Sequence, residues 1–440
     1  MEYNLLIDEL NNLDHNIFDA SDYKRDENIH RIFLYPAMMI PSSQKIVIDI
    51  LSKYLPKDIN MFDPFMGAST AILSCMEKGF NVYGQDINPL AVLISKVKVS
   101  TLNTLLLKLK IERVRDFILR DSSTSIDVSF DRIDKWFNHY VQIDLSKIRR
   151  AIKNEDDIQY RRFFWVILAE TIRVDSNDRT STYKLHQRSE LDIRNRKVSV
   201  IKDFFKLAER SVGDIEKFNN KLMAANLINN DKYIGTAEVR WGNSLIKINS
   251  GKIFSLLVSS PPYGDNHTTV TYGQHSYLAL QWIDRQDIDL DIDYDYLKTS
   301  QEIDRTSLGG KLDRQKISKC MDGLLSKTPT LKSLFASFEK EKDDKINKII
   351  SFINDFDISL NAILNKMSNR SFLVWTIGNR HVSKKEIPND QILIELMEYR
   401  NIRLIYQGER NIQNKTMPSR NKTTKTMTKE KILIFYKNNE

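Results

Sequence analysis

Short apolar runs alternate with segments of helical spacing along most of the chain, which predicts an α/β fold with a mainly parallel sheet. Two early strands, at 60–62 and 81–84, each lead into a helix. Later apolar runs predict further strands at 237–241, 253–259, 372–377, 402–406 and 431–436. The final strand is expected to pair antiparallel with its neighbour at the sheet edge.

Two regions depart from this alternation. Residues 101–230 are charged and of helical spacing, with aromatic positions among them, which indicates an inserted helical region. Residues 285–345 are polar and rich in Asp and Lys, which indicates a second insertion. The chain is therefore divided into an N-terminal segment, three parts of a core and two insertions, with boundaries at 1–27, 28–100, 101–230, 231–284, 285–345 and 346–440.

Composition excludes several classes of protein. The 440 residues are 41% apolar and 28% charged, a balance typical of a folded globular chain rather than a disordered one. No apolar run approaches the roughly 20 residues of a membrane span, and the acidic first residues do not resemble a signal peptide. Two cysteines, Cys75 and Cys320, are too few for a disulfide framework or a four-ligand zinc site. We therefore expect a cytoplasmic protein with no membrane partner and no metal.

The net charge of +8 has two interpretations, a polyanionic partner or a lysine-rich solvated surface. The distribution of charge adds information, because residues 410–431 contain many cations and almost no acids. Lys and Arg alternate there with Asn, Thr and Ser, which are residue types that contact phosphate oxygens. Arg410, Lys415 and Arg420 are therefore candidate contacts to nucleic acid.

The first motif, MFDPFMGAST, spans residues 61–70. Asp63 ends a strand and Gly67 permits a close turn into a helix, so this acid and the turn amides lie where open α/β sheets bind ligands. Asp86 follows the next strand 23 residues later, a spacing at which an acid accepts hydrogen bonds from ribose hydroxyls. Neither G-x-G-x-x-G nor a phosphate-binding loop is present. A ribose-bearing ligand without a cradled pyrophosphate fits better than NAD or ATP.

The second motif, LLVSSPPYGDN, spans residues 256–266. Its two prolines fix φ and remove two amide donors, which leaves the Ser260 hydroxyl and backbone carbonyls as acceptors. Tyr263 adds a flat ring. This set suits an exocyclic amino group held by acceptors while its base stacks on the ring. The alternative is a proline-rich turn with Tyr263 as a surface aromatic.

Together the motifs resemble those of the DNA amino-methyltransferases that carry Ser-Pro-Pro-Tyr. The match includes Asp-Pro-Phe-x-Gly at 63–67, the acid in QDINPLA, and Ser-Pro-Pro-Tyr at 260–263. Further segments similar to family segments are FLYPAMMIP at 33–41, VRWGNSL at 239–245, SFLVWTIGNRHV at 371–382 and ERNIQNKTMPSRN at 409–421. The resemblance covers about 28–100 and 231–440.

The resemblance implies a Rossmann-like methyltransferase fold, S-adenosylmethionine as cofactor, double-stranded DNA as substrate, and a cognate restriction endonuclease as functional partner. It assigns catalysis to Ser260, Pro261, Pro262 and Tyr263, with the amino group held by Ser260 and the Pro261 carbonyl. It assigns the cofactor to Pro36, Ala37, Asp63, Pro64, Phe65, Gly67, Ser69, Thr70, Asp86, Ile87, Asn243 and Ser260. Asn243 departs from the pattern, because the family often has Asp there.

The resemblance also bears on the target base. A serine in the first position of the second motif usually accompanies methylation of cytosine N4, whereas Asp or Asn accompanies adenine N6. We therefore expect N4-cytosine, with N6-adenine as the alternative. Cytosine-C5 chemistry needs a thiolate nucleophile, and the family that performs it carries this cysteine directly after a proline. Here Cys75 follows Ser74 and Cys320 follows Lys319, so we do not expect C5 methylation. An RNA methyltransferase or a non-catalytic recognition subunit are further alternatives, and the latter predicts degraded motifs.

A core built around one flipped base cannot read several neighbouring base pairs, so an insertion is expected to do so. The stretch VDSNDRTSTYKLHQR in the first insertion makes Arg179, Lys184 and Arg188 candidate DNA contacts. His267 is a further candidate, as a contact to DNA or within the active-site loop. Alternatively the first insertion only braces the fold or forms a dimer surface, and residues 285–345 read the sequence.

Overall fold

The computed structural model describes residues 2–14, 16–19, 29–311, 313–338, 343–412 and 427–438. Its strands are β1 (Asn60–Asp63), β2 (Asn81–Asp86), β3 (Ile228–Asn229), β4 (Lys232–Tyr233), β5 (Ala237–Trp241), β6 (Phe254–Ser259), β7 (Met367–Gly378), β8 (Arg380–Val382), β9 (Lys385–Ile387), β10 (Arg403–Asn411) and β11 (Lys429–Asn438).

The α-helices of the described residues are α1 (Glu2–Asn11), α2 (Pro41–Leu51), α3 (Thr70–Met76), α4 (Pro89–Val99), α5 (Thr104–Arg120), α6 (Ile133–Trp136), α7 (His139–Lys153), α8 (Ile158–Asp175), α9 (Glu190–Asn195), α10 (Val200–Ala224), α11 (Tyr272–Leu280), α12 (Arg285–Ile288), α13 (Glu302–Thr306), α14 (Arg314–Lys327), α15 (Pro329–Ser337), α16 (Asp343–Leu364) and α17 (Asn389–Glu398). None of them is long and apolar enough to cross a membrane.

Seven strands form one sheet in the order β10-β11-β7-β6-β1-β2-β5. The pairs from β7 to β5 are all parallel, whereas β11 runs antiparallel to both of its neighbours. This confirms the predicted α/β fold with a mainly parallel sheet. The last strand pairs antiparallel as predicted, but it lies one position inside the edge, between β10 and β7.

The chain changes direction across the sheet between β1 and β6. It first builds outward through β2 and β5 and then returns to the other side of β1 to form β6. In open α/β sheets such a reversal leaves a crevice outside the carboxyl ends of the two strands, where ligands bind. Both sequence motifs follow the strands that flank this crevice.

The strands are apolar on both faces because helices cover both. Alternate residues of β6 point to opposite sides, so Leu256 and Val258 join one apolar core while Leu257 joins the other. The first core contains helices α2 to α4 and the first insertion, and the second contains helices α14, α16 and α17.

The first insertion is helical as predicted, and it packs directly on the sheet-covering helices. Helix α8 contacts α4, α7, α10 and α11, and its Phe163, Phe164 and Trp165 are fully buried. Burying each such ring stabilises the fold by about 1.5–3 kcal/mol. The second insertion is also largely helical within its described residues, and Ile288 near its start joins the first core.

Candidate active site

The turn after β1 contains two residues in the left-handed backbone region. Gly67 has φ of 47° and Ser69 has φ of 65°, immediately before α3 begins at Thr70. Glycine adopts this conformation without the steric cost of a Cβ. The ring of Tyr35 lies over the turn: a Cβ added at Gly67 would be 3.5 Å from Cε1 of Tyr35.

Asp63 ends β1 and is completely buried. Its Oδ1 accepts hydrogen bonds from the Ser259 hydroxyl at 2.7 Å and from the Phe65 amide at 3.1 Å. Its Oδ2 is buried without a hydrogen-bond partner among the described residues. Burial raises the pKa of this carboxyl to about 7, since removal from water disfavours the charged form.

Asp86 ends β2 and accepts hydrogen bonds from backbone amides of the turn after β1 and of the start of α4. Oδ2 accepts from Gly67 at 2.9 Å, and Oδ1 accepts from Asn88 at 2.8 Å. Burial raises the pKa of Asp86 to about 6, although these bonds oppose the rise. Asp86 therefore joins the first motif to the start of α4. This structural role is additional to the ribose contact predicted from the sequence.

The segment before α2 covers the same region. Pro36 is buried and Ala37 is exposed, with φ of 47°. Tyr35 stacks on Tyr272 at 5.7 Å between ring centroids, and Asn88 Nδ2 donates to its hydroxyl at 3.0 Å. This ring pair packs the segment before α2 against the start of helix α11.

The turn after β5 is tied to the first motif. The Ser244 hydroxyl donates to the carbonyl of Pro64 at 2.7 Å. Asn243 donates from Nδ2 to the carbonyl of Thr306 at 3.3 Å, which joins the turn to the second insertion. On the β2 side, the Ile87 carbonyl accepts from Trp241 Nε1 at 2.9 Å. These contacts join the turns after β1, β2 and β5 at the same edge of the sheet.

The second motif follows β6 beside the first. Pro261 is buried, Ser260, Pro262 and Tyr263 are partly exposed, and the Ser260 and Tyr263 hydroxyl oxygens are 3.1 Å apart. Tyr263 donates to Glu430 Oε1 at 3.0 Å. Burial, followed by the charge of Glu430, raises the pKa of Tyr263 well above its usual value. The phenol therefore stays protonated at neutral pH.

Two buried acids of this region were missed by sequence reasoning. Glu430 lies on β11, and Asp304 lies on α13 in the second insertion, where its Oδ1 accepts from the Gly273 amide at 2.9 Å. Burial raises the pKa of Asp304 to about 6. Neither acid belongs to a recognisable motif, so no local signal could have identified them.

The prediction that Arg410 contacts DNA needs correction. Its side chain is only 6% exposed, and its guanidinium forms an ion pair with Glu430 at 2.5 Å, because the two residues lie opposite each other on β10 and β11. Such a buried, paired cation is not available to a phosphate. Lys415 and Arg420, predicted from the same basic segment, lie outside the described residues.

The loop at residues 177–188, which we call the 177–188 loop, carries the other predicted DNA contacts. Arg179 and Lys184 are exposed and Arg188 is partly exposed. The loop packs against the segment that follows the second motif: Thr271 Oγ1 donates to the Tyr183 carbonyl at 3.1 Å, and the Leu185 amide donates to Gln274 Oε1 at 3.2 Å. His267, in the turn between these parts, is partly exposed.

The site has an electrostatic character that suits a cation rich in hydrogen-bond donors. Asp63 and Asp86 form no ion pair within the described residues. Ser69 Oγ, like Asp63 Oδ2, is buried without a partner there. A ligand that brought a positive charge and N–H or O–H donors would satisfy these atoms and favour the ionised form of both carboxylates.

The chain is similar in sequence to two type II methyltransferases. The type II methyltransferase M.MvaI of Kocuria varians is 33% identical over 432 residues, which cover 93% of this chain and 91% of that protein. The type II methyltransferase M.MjaII of Methanocaldococcus jannaschii is 35% identical over 79 residues, 18% of this chain and 14% of that protein.

No family model matches the chain. A solved structure of the rRNA methyltransferase aviRa from Streptomyces viridochromogenes aligns with 95% of this chain and 96% of its own at 8% identity, with a TM-score of 0.31. The relationship to M.MvaI extends over nine-tenths of both chains, so this protein belongs to the type II methyltransferases, and the resemblance to DNA amino-methyltransferases drawn from its motifs is confirmed.

Proposed function

We propose that this protein transfers a methyl group from S-adenosylmethionine to the exocyclic N4 of cytosine in double-stranded DNA. Its product would protect host DNA from a cognate restriction endonuclease. The observation that supports this most directly is the 2.7 Å hydrogen bond between Ser259 and Asp63. It places the first motif and the Ser-Pro-Pro-Tyr turn side by side at the reversal of the sheet.

The residues fit S-adenosylmethionine, which when bound supplies a methyl group already activated by a sulfonium. Asp63 and the Gly67 turn would hold the charged methionine end, since Asp63 Oδ2 lacks a partner among the described residues. Asp86 would accept from ribose hydroxyls with the lone pairs that its amide contacts leave free. Tyr35 and Tyr272 would exclude water from one side of this region.

The target base would leave the DNA stack and lie against Tyr263, at a cost of a few kcal/mol. Ser260 and the Pro261 carbonyl would accept hydrogen bonds from its amino group and so orient the nitrogen lone pair. Methyl transfer would then be a direct displacement without an enzyme-linked intermediate: the nitrogen lone pair would form the new N–C bond, the C–S bond would break with S-adenosylhomocysteine as leaving group, and one amino proton would be lost to water. The same acceptors suit the amino group of adenine, so N6-adenine methylation is the alternative.

The identity of the methylated base tests this proposal. Plasmid DNA incubated with the protein and S-adenosylmethionine is digested to nucleosides, which are then identified by mass. The expected product is N4-methyldeoxycytidine. N6-methyldeoxyadenosine as the product would overturn the cytosine assignment.

We also propose that the 177–188 loop binds DNA beside the flipped base. Its docking on Thr271 and Gln274 brings Arg179, Lys184 and Arg188 close to the segment that follows the active-site turn. The triple substitution of these three residues by alanine is expected to weaken DNA binding. It should also reduce the slope of log affinity against log salt by about one for each phosphate that the variant no longer binds.

A control with the same change of charge is available in the first insertion. Lys202, Lys206 and Lys217 are exposed on α10, outside the 177–188 loop, and their triple alanine variant should leave DNA affinity nearly unchanged. Affinity is measured at several salt concentrations, and the methylated sequence is mapped. If the loop variant retains wild-type affinity, salt slope and sequence, the loop does not read DNA and residues 285–345 become the candidate.

A further inference from the structure

Two side chains of the Ser-Pro-Pro-Tyr turn and one from β11 form a line of hydrogen bonds. The hydroxyl oxygens of Ser260 and Tyr263 are 3.1 Å apart, and Tyr263 donates to Glu430 Oε1 at 3.0 Å. Glu430 Oε2 accepts in turn from Arg410 Nε at 2.7 Å. We call this line the Glu430–Tyr263–Ser260 chain.

The sheet holds Glu430 in place. It lies opposite Arg410 on β10 and opposite Gly378 on β7, so the three residues form one row across three strands. Because Gly378 has no side chain, the Tyr263 ring can lie in this row, where a Cβ would come within 2.8 Å of its Cδ2. Asn389 Nδ2 donates to the carbonyls of both Tyr263 and Gly378, at 3.0 and 2.8 Å. The ring and its hydroxyl are therefore fixed from two sides.

The chemistry of Glu430 sets the direction of every proton in the chain. A carboxylate only accepts hydrogen bonds, so Tyr263 must use its single proton on Glu430. The phenol oxygen can then only accept from Ser260, whose own single proton is used in that bond. Ser260 is left with lone pairs alone for a group on its open side.

We propose that Glu430 is a positioning residue, which acts through Tyr263 to present Ser260 Oγ as an acceptor to the amino group of the target base. This inference rests on the proposed function, since it concerns the group that Ser260 contacts. With Glu430 in place, an amino N–H donates to Ser260. Without Glu430, the Ser260 hydroxyl can turn its own proton toward the base. Two donors, this O–H and the amino N–H of the base, would then face each other.

Glu430→Gln tests the proposal because glutamine has nearly the same shape but can donate as well as accept. We expect kcat to fall about tenfold, the effect of one misdirected hydrogen bond, while KM for DNA stays within about twofold. Glu409→Gln is the matched control. Glu409 pairs with Lys431 across the same two strands at 2.5 Å but does not contact Tyr263, so kcat should not change.

Glu430→Gln is also made in a Tyr263→Phe protein, which lacks the hydroxyl. Comparing the two backgrounds shows whether Glu430 only stabilises the fold or also sets the direction of the protons. Glu430→Gln deprives the buried Arg410 of its charged partner, so the melting temperature should fall in either background. The loss of kcat, by contrast, should disappear when Tyr263 is already phenylalanine. An equal loss of kcat in both backgrounds, or no loss in either, would overturn the proposal.

A second pair of variants serves if Glu430→Gln does not fold. Tyr263→Phe should lower kcat about threefold in the wild type and not at all in a Ser260→Ala background. In that background the Glu430–Tyr263–Ser260 chain lacks the Ser260 hydroxyl that Tyr263 would orient. Equal losses in both backgrounds would refute the role of the chain. The nucleoside produced by the wild type decides the base assignment separately, since these ratios apply to cytosine and adenine alike.

Discussion

Replacing Tyr263 by alanine is expected to lower kcat for DNA methylation by about 100-fold while the affinity for S-adenosylmethionine is retained. Base–aromatic stacking contributes about 1–3 kcal/mol, and alanine removes the whole ring on which the base would stack. It also removes the hydroxyl that lies 3.1 Å from Ser260 Oγ. Single-turnover kinetics measures the chemical step, and calorimetry with the cofactor alone measures its binding.

Tyr399→Ala is a suitable control for this substitution. Tyr399 is 61% exposed at the end of α17, and its loss should leave both kcat and cofactor affinity unchanged. The ring of Tyr263 contacts Gly378 and its hydroxyl contacts Glu430, so the melting temperature of Tyr263→Ala should also be compared with that of the wild type. Methylation by a folded Tyr263→Ala protein at the wild-type rate would remove Tyr263 from the base pocket.

Replacing Asp86 by alanine is expected to weaken binding of S-adenosylmethionine by about 10- to 100-fold. One hydrogen bond to a charged group contributes about 1.5–3 kcal/mol, and the proposed ribose contact is of this kind. The substitution also leaves the amides of Gly67 and Asn88 without their acceptor, which loosens the turn that would hold the methionine end. Calorimetry gives the affinity, and thermal melting shows whether the variant is folded.

Asp58→Ala provides the matched control, because Asp58 is an exposed acid that precedes β1 at the opposite end of the same strands. It removes one negative charge without touching the crevice, so cofactor affinity should not change. An Asp86→Ala protein that is folded and binds S-adenosylmethionine as tightly as the wild type would refute the role assigned to Asp86.

The two carboxylates at the crevice differ in how completely the protein satisfies them. Asp86 has an amide partner for each oxygen, whereas Asp63 Oδ2 has none among the described residues. An unsatisfied buried oxygen costs about 1–3 kcal/mol. This cost is consistent with a ligand donor at Asp63, and it favours Asp63 over Asp86 as the contact to a charged group.

Much of the core was predictable from sequence because its signals are local. Apolar runs of strand length, such as 253–259, mark the buried parallel strands, and the residue that ends a strand must lie at the carboxyl edge of the sheet. Asp63, Asp86 and Ser260 therefore lie at that edge as expected, and the order of the strands then makes them neighbours. The helical character of residues 101–230 likewise followed from their periodicity.

Other features depended on pairs of residues that are distant in the chain, and only the tertiary structure decided them. Tyr263 and Glu430 are 167 residues apart, and Thr271 and Tyr183 are 88 apart. Which strands neighbour each other determines such contacts, and neighbouring strands leave no short-range pattern. Arg410 shows the consequence: the sequence placed it in a basic segment, whereas pairing of β10 with β11 buried it against Glu430, where an unpaired charge would be costly.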